Sequence, residues 1–360
     1  MSPQEARQRR LLALLAERDL AALIVTEAAN VRYLTGYAGS NGIALIGTGG
    51  RVLLTDSRYA VAAPEQVRGA EVVIGMRDLL ADVAARIGDV AGGGAIGVEA
   101  ESLTLARHQR LTELLGGVVT EPTRGIVEGL RIIKDADEVA AMRRAAGVAD
   151  RALATVLDEG IVGRTEREVA FALHAAMLDE GAQEPSFATI VASGPRAARP
   201  HHVPGSDVIP ADTLVVIDLG AVADGYCSDM TRTVATGPLA PRLEEIYRVC
   251  LDAQEAAMAA ARGGMSGAEL DAVARARIAE GGYGDHFGHG LGHGVGMVIH
   301  ERPGVRPEST DDLAAGMAIT IEPGIYLEGE GGVRIEDLVV LTDDGSEVLS
   351  RSPKELRIVE

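Results

Sequence analysis

The chain has 360 residues, 47% of them hydrophobic, which is enough for two cores rather than one. Its 53 acidic residues against 34 basic ones give a formal net charge of −19. That balance lacks the basic footprint a polyphosphate backbone needs, so no nucleic acid is expected as a partner.

Two cysteines, Cys227 and Cys250, make no disulfide framework and suit a reducing compartment. The N-terminal stretch is amphipathic and charged, without the pattern of a signal peptide, and no apolar run is long enough to span a membrane. A soluble cytoplasmic protein with no membrane partner is the expectation.

In chain order, "LLALLAERDL" reads as a helix and "ALIVT" as a strand. "GIALIGTGG" and "RVLLTD" read as two strands joined at a glycine turn. "DLLADVAARI" is helical, "AIGVEA" a strand, and "LTLARHQRLTELL" helical again. This predicts a small α/β domain over residues 1–126. A second unit over 127–360 opens with a capping box, Asp135 and Glu138, on a long helix. Three further helices cover "TEREVAFALHAAML", "PRLEEIYRVCLDAQEAAMAAAR" and "SGAELDAVARARIAEGG". The strands expected among them are "FATIVAS", "TLVVIDLGAV", "GYCSDMTRTVAT", "MAITIEPGIY" and "GVRIEDLVVLT". The mixture predicts an α+β domain with a curved antiparallel sheet.

Asp224-Gly225 between strand-like runs signals a two-residue hairpin turn. Ala223 then pairs with Tyr226, and Asp218 lies opposite Thr231. Asp229 leaves the sheet on the same face as Asp218, within reach of a shared ion. Two like charges on one face repel unless a divalent cation lies between them. Glu322 ends one apolar strand before Pro323-Gly324. Glu336 sits inside another, with Arg334 on the same face, either as an ion pair with that arginine or as a metal ligand.

The run "GHGLGHGVG" from Gly288 has glycine at every second position through Gly296, and His286 lies just before it. Glycine lets backbones or a ligand approach closely, and in this run it is expected to leave room for a ligand. His289 and His293 share parity, and His300 follows. His201 and His202 lie in a proline-flanked loop, whereas His108 and His174 read as structural or exposed. Two aspartates, two glutamates and one imidazole suit two divalent cations. Mn²⁺ fits best, with Co²⁺, Zn²⁺ and Fe²⁺ as competitors. Such a pair activates water against a carbonyl.

The ordered set DLG…YCSDMTRT, GHGLGHGVG…HE, TIEPGIY and GVRIED resembles the pita-bread metallopeptidase family (M24). Within it the chain resembles the Xaa-Pro dipeptidase (prolidase) and aminopeptidase P group. "NVRYLTGYAGSNG" and "LLTDSRY" resemble the creatinase/prolidase-like N-terminal domain of the proline-directed members.

The resemblance implies Asp218, Asp229, His293, Glu322 and Glu336 as metal ligands, with Asp229 and Glu336 bridging and Glu322 also a general base. It implies His289 and His300 as catalytic, substrate-binding groups. His201 binds substrate or moves protons, and Arg334 is an outer or carboxylate-binding arginine. Met297 stands where leucine is more usual, and His202 and His286 map onto no required role. The implied activity is hydrolysis of the Xaa-Pro bond in dipeptides or short peptides by a homodimer. Aminopeptidase P activity on longer peptides is the alternative. Retention of all five ligands argues against a metal-free creatinase-like hydrolase and against a degenerate binding module.

Overall fold

The computed structural model describes residues 1–360. By contacts the chain forms two compact units, Met1–Arg131 and Ile132–Glu360, a few residues beyond the 126/127 boundary drawn from sequence. Helix Ile126–Arg131 falls in the first unit, where Tyr33 donates its hydroxyl to the carbonyl of Leu130.

The first unit holds one sheet of six strands: β1 (Leu20–Val25), β2 (Gly42–Gly47), β3 (Gly50–Asp56), β4 (Glu71–Gly75), β5 (Ala95–Glu99) and β6 (Thr120–Thr123), in the order β4-β3-β2-β1-β5-β6. The expected glycine turn joins β2 to β3, with Gly47 paired to Gly50. Ile24, Leu45 and Leu54 pack with Val83, Ile87 and Leu111 of the two expected helices. The sequence did not announce β4 and β6. Both are edge strands, and β6 contains Pro122 and polar residues, which an edge tolerates.

The second unit opens with helix Ala136–Asp158, capped by Asp135 and Glu138 as expected. Its strands are β7 (Glu184–Pro185), β8 (Ile190–Ser193), β9 (Leu214–Leu219), β10 (Ala221–Ala223), β11 (Tyr226–Cys227), β12 (Met230–Ala235), β13 (Gly292–Gly294), β14 (Glu301–Val305), β15 (Ala318–Ile321), β16 (Gly324–Leu327), β17 (Gly331–Arg334), β18 (Asp337–Leu341) and β19 (Ser346–Val348).

Each half of this unit backs a sheet with two helices. Val215, Ile217 and Leu219 of β9 pack with Val148, Leu153, Val169 and Leu173 of helices Ala136–Asp158 and Glu166–Asp179. Ile319, Ile321, Val339 and Leu341 pack with Ile246, Cys250, Leu270 and Ala274 of helices Pro241–Ala260 and Gly267–Glu280. Alternation does the rest: with odd-numbered residues committed to these cores, Asp218, Thr320 and Leu338 emerge on the other faces.

Candidate metal centre and active site

The predicted hairpin register holds. Ala223 pairs with Tyr226, and Asp218 lies opposite Thr231. Asp224 and Gly225 both have positive φ, 51° and 80°, as a tight primed turn requires. Three strands expected to be continuous are broken, two of them at a carboxylate, and the stop expected at Pro323-Gly324 separates β15 from β16. Asp229 lies between β11 and β12, Glu322 between β15 and β16, and Glu336 between β17 and β18. A break frees backbone groups and re-aims a side chain that the regular pleat would have fixed. Glu336 N instead donates to Thr231 O across the two halves at 3.1 Å.

Asp218, Asp229, His289, His293, Glu322, Arg334 and Glu336 border one cleft, with His201 and His300 exposed on it. Asp229, His293 and Glu336 each bring one ligand atom to within 4.8 Å of the others. His293 Nε2 lies 3.6 Å from Asp229 Oδ2 and 3.4 Å from Glu322 Oε1. Its Nδ1 faces the carbonyl of Gly294 at 3.1 Å and so carries the proton, which leaves the Nε2 lone pair facing the two acids. Burial pushes His293 down to about 4, so it is neutral.

The acids respond in the opposite sense. Burial first, then the neighbouring carboxylates, push Asp229 and Glu336 well above their ordinary range. Burial raises Asp218 and takes Glu322 up to about 7. Converging acids and an imidazole lone pair repel one another unless a cation joins them. Asp218 Oδ1 is buried without a hydrogen-bond partner, an atom that a metal would satisfy. The donor set therefore fits divalent metal.

Of the two readings of Glu336, the simple ion pair with Arg334 gives way, because the arginine's hydrogen bonds go elsewhere. Arg334 is buried and donates from Nη2 to Asp218 Oδ2 at 2.7 Å, from Nε to Thr231 Oγ1 at 3.0 Å and from Nη1 to Tyr326 OH at 3.1 Å. Glu336 accepts from the Thr231 hydroxyl at 2.6 Å. The Arg334 fork is thus spent inside the protein.

His289 is committed as well. Its Nδ1 meets the Gly290 carbonyl at 2.8 Å, and its Nε2 accepts from Tyr326 OH at 2.9 Å. Tyr326, Thr231 and Thr320, which lies between the His293 amide and Glu322, carried no signal in the sequence alone. His300 stacks edge-on against His293, ring centroids 4.4 Å apart. His286 lies against Tyr283, and His202 bonds Glu166.

The glycine run corrects an expectation. A Cβ at Gly292 would stand 2.0 Å from the carbonyl of Thr320, and one at Gly294 would stand 2.2 Å from that of Arg302. These glycines let β13 press against its neighbours. The space above these two is filled by backbone and that above Gly296 by the Glu301 side chain, so neither is left for a ligand, whereas nothing lies within 4 Å above Gly288.

Fold and site together define a metal-dependent hydrolase of the pita-bread type. The profile described as "Metallopeptidase family M24" matches residues 140–343, and "Creatinase/Prolidase N-terminal domain" matches residues 7–133. The chain belongs to metallopeptidase family M24, a family of divalent-metal enzymes. It is 41% identical to an uncharacterized peptidase of Bacillus subtilis, YqhT, over 94% of this chain and 95% of that one. Among solved structures, it is similar to an Xaa-Pro dipeptidase from Bacillus anthracis. That match has a TM-score of 0.96 and 39% identity, over 99% of this chain and 100% of that one. An X-Pro aminopeptidase from Thermotoga maritima matches with a TM-score of 0.91 and 35% identity, over 98% of this chain and 100% of that one. No helix is long and apolar enough to cross a membrane.

Proposed function

We propose that the protein is a dinuclear Xaa-Pro dipeptidase, with Asp218, Asp229, His293, Glu322 and Glu336 as its metal ligands. The observation that carries the reading is the neutral His293 imidazole facing Asp229 and Glu322, beside the unpartnered Asp218 oxygen. A pair of divalent cations, Mn²⁺ on grounds of its oxygen-rich ligands, would activate water and polarise the scissile carbonyl. Glu322, whose Oε1 lies 3.4 Å from His293 Nε2 on the cleft, would take a proton from the attacking water and return it to the prolyl nitrogen. His201 and His300, exposed on the cleft, bind substrate and move protons. His289 serves the same site through its bond to Tyr326.

The substrate length follows from charge. An Xaa-Pro dipeptide places a free carboxylate directly after the scissile bond. Arg334 has its donors spent on Asp218, Thr231 and Tyr326. The donors for that carboxylate come instead from His201, His300 and Arg306, which border the cleft, since Arg302 is paired with Asp311. The likeness to the Bacillus anthracis dipeptidase supports this choice, and the likeness to the Thermotoga maritima aminopeptidase supports the alternative. Measuring kcat/KM for Ala-Pro, Ala-Ala and Ala-Pro-Ala, after chelation and after adding Mn²⁺, tests the reading. Ala-Pro should be preferred and the chelated protein inactive. Preference for Ala-Pro-Ala would make it an aminopeptidase P, and full activity in chelated protein would remove the metal from the mechanism. We also propose a homodimer.

A further inference from the structure

His201 stands between two anchors. On one side, Arg334 Nη1 donates to the carbonyl of Pro200 at 3.4 Å. On the other, His202 donates from Nε2 to Glu166 Oε2 at 2.7 Å. Glu166 opens helix Glu166–Asp179, and its side chain is fully buried. Its other oxygen, Oε1, accepts from Ser193 N at 2.9 Å, Ser193 Oγ at 2.8 Å and Arg196 Nε at 2.8 Å.

A buried carboxylate is costly unless its lone pairs are used, and here they are used to draw three pieces of chain together. Ser193 ends β8, whose Ile190 pairs with Asp218. Arg196 lies in the turn that follows β8. His202 lies next to His201. The helix core does not need this acid, since Val169, Leu173 and Met177 already pack the buried face.

We propose that Glu166 and His202 are positioning residues for His201. The Glu166–His202 bond, acting with Arg334 on Pro200, holds the backbone at 201 so that this ring stays on the cleft. The inference rests on the reading of His201 as a substrate or proton group. It gives His202 a role that its neighbour's chemistry explains: it touches a buried acid and fixes the histidine beside it.

The test compares wild type, H201A, H202A, H202Q and the H201A/H202A double variant in the metal-loaded enzyme. Kinetics on Ala-Pro are read beside metal content and hydrogen exchange over residues 199–204. H202A should lower kcat roughly 10–100-fold with metal retained and KM little changed. In the double variant His202 should add nothing to the loss already caused by H201A. H202Q, whose amide nitrogen reaches Glu166, should recover most of the activity and the slow exchange of the loop.

If H202A fails to fold, H202N takes its place, because its amide is too short to reach Glu166. Losses that multiply in the double variant, or exchange unchanged in H202A, overturn the inference. H201A at wild-type kcat overturns it together with the role of His201. Failure of wild type to cleave Ala-Pro sinks only the substrate reading, because loop exchange in H202A against H202Q still decides the positioning role.

Discussion

Arg334 donates to one oxygen of Asp218 at 2.7 Å, and the other oxygen of Asp218 is buried with no partner. The arginine thereby decides which lone pairs of Asp218 face the cleft. Thr231, which accepts from Arg334 and donates to Glu336, passes the same constraint to a second acid. One buried cation and one hydroxyl orient two of the proposed ligands.

Removing Arg334 therefore has two separable consequences. R334A leaves a buried carboxylate without its counter-charge, which should cost about 3–5 kcal/mol of stability. It should also weaken metal binding roughly 10–100-fold, because Asp218 is no longer held. R334K should restore only part of either, since an ammonium cannot reach Asp218, Thr231 and Tyr326 together. Calorimetric metal titration and thermal melts read the two effects. Wild-type metal affinity in R334A would show that Asp218 does not depend on the arginine.

D229A and D224A separate a candidate ligand from a turn residue five positions away in sequence. D229A should lose metal, and with it several orders of magnitude in kcat. Asp224 is exposed and pairs with Arg144 on the surface, a contact worth about 0–1 kcal/mol. Its φ of 51° disfavours alanine by about 1–2 kcal/mol. D224A should therefore lower the melting temperature slightly and keep its metal. Metal analysis of both purified variants checks this, and equal metal loss would contradict the hairpin geometry.

The hairpin was legible because turn chemistry and a period of two fix register locally. The stop at Glu322 was legible in Pro323-Gly324, but the breaks at Asp229 and Glu336 were not, because nothing in "GVRIEDLVVL" says that pairing stops at Arg334 and resumes at Asp337. That interruption is set by Glu336 N reaching Thr231 O, a contact between residues far apart in the chain. Tyr326 was hidden for the same reason: its hydroxyl matters only once β16 lies beside His289. The glycines of the histidine run were visible, but whether a neighbour or a ligand fills the space above them depends on β14 and β15.

Metal binding should release protons, and more of them in mildly acidic solution. Burial holds Glu322 at about 7 and raises Asp218, Asp229 and Glu336. A carboxyl whose folded pKa is raised stabilises the protein below its unfolded value, and that contribution is lost as pH rises through the folded value. His293 and His289, held at about 4, work in the other direction. Their contribution is present above the ordinary imidazole range and is lost as pH falls through about 4. The acids should therefore make the metal-free protein lose stability on going from about pH 6 to about pH 8, while metal binding should tighten over the same interval. Titration in buffers of different ionisation enthalpy counts the protons. Release that is greater at about pH 8 than at about pH 6 would reverse the sign of the argument.

Tyr326 connects the buried arginine to the cleft histidine, accepting from Arg334 Nη1 at 3.1 Å and donating to His289 Nε2 at 2.9 Å. With Nδ1 of His289 bonded to Gly290 O, the ring has no free nitrogen until Tyr326 lets go. If His289 touches substrate through Nε2, the substrate must displace the tyrosine, and Y326F would make the ring more available while leaving it less well oriented. Loss of orientation should win, because a group held loosely at a reacting centre costs more than a displaced hydrogen bond returns. Y326F should then lower kcat roughly 10–100-fold with metal content unchanged, and H289A should lower it at least as far. The two changes should not multiply when combined, because the tyrosine acts through the ring. A Y326F enzyme with raised kcat would show instead that the tyrosine is a competitor for the histidine and not its support.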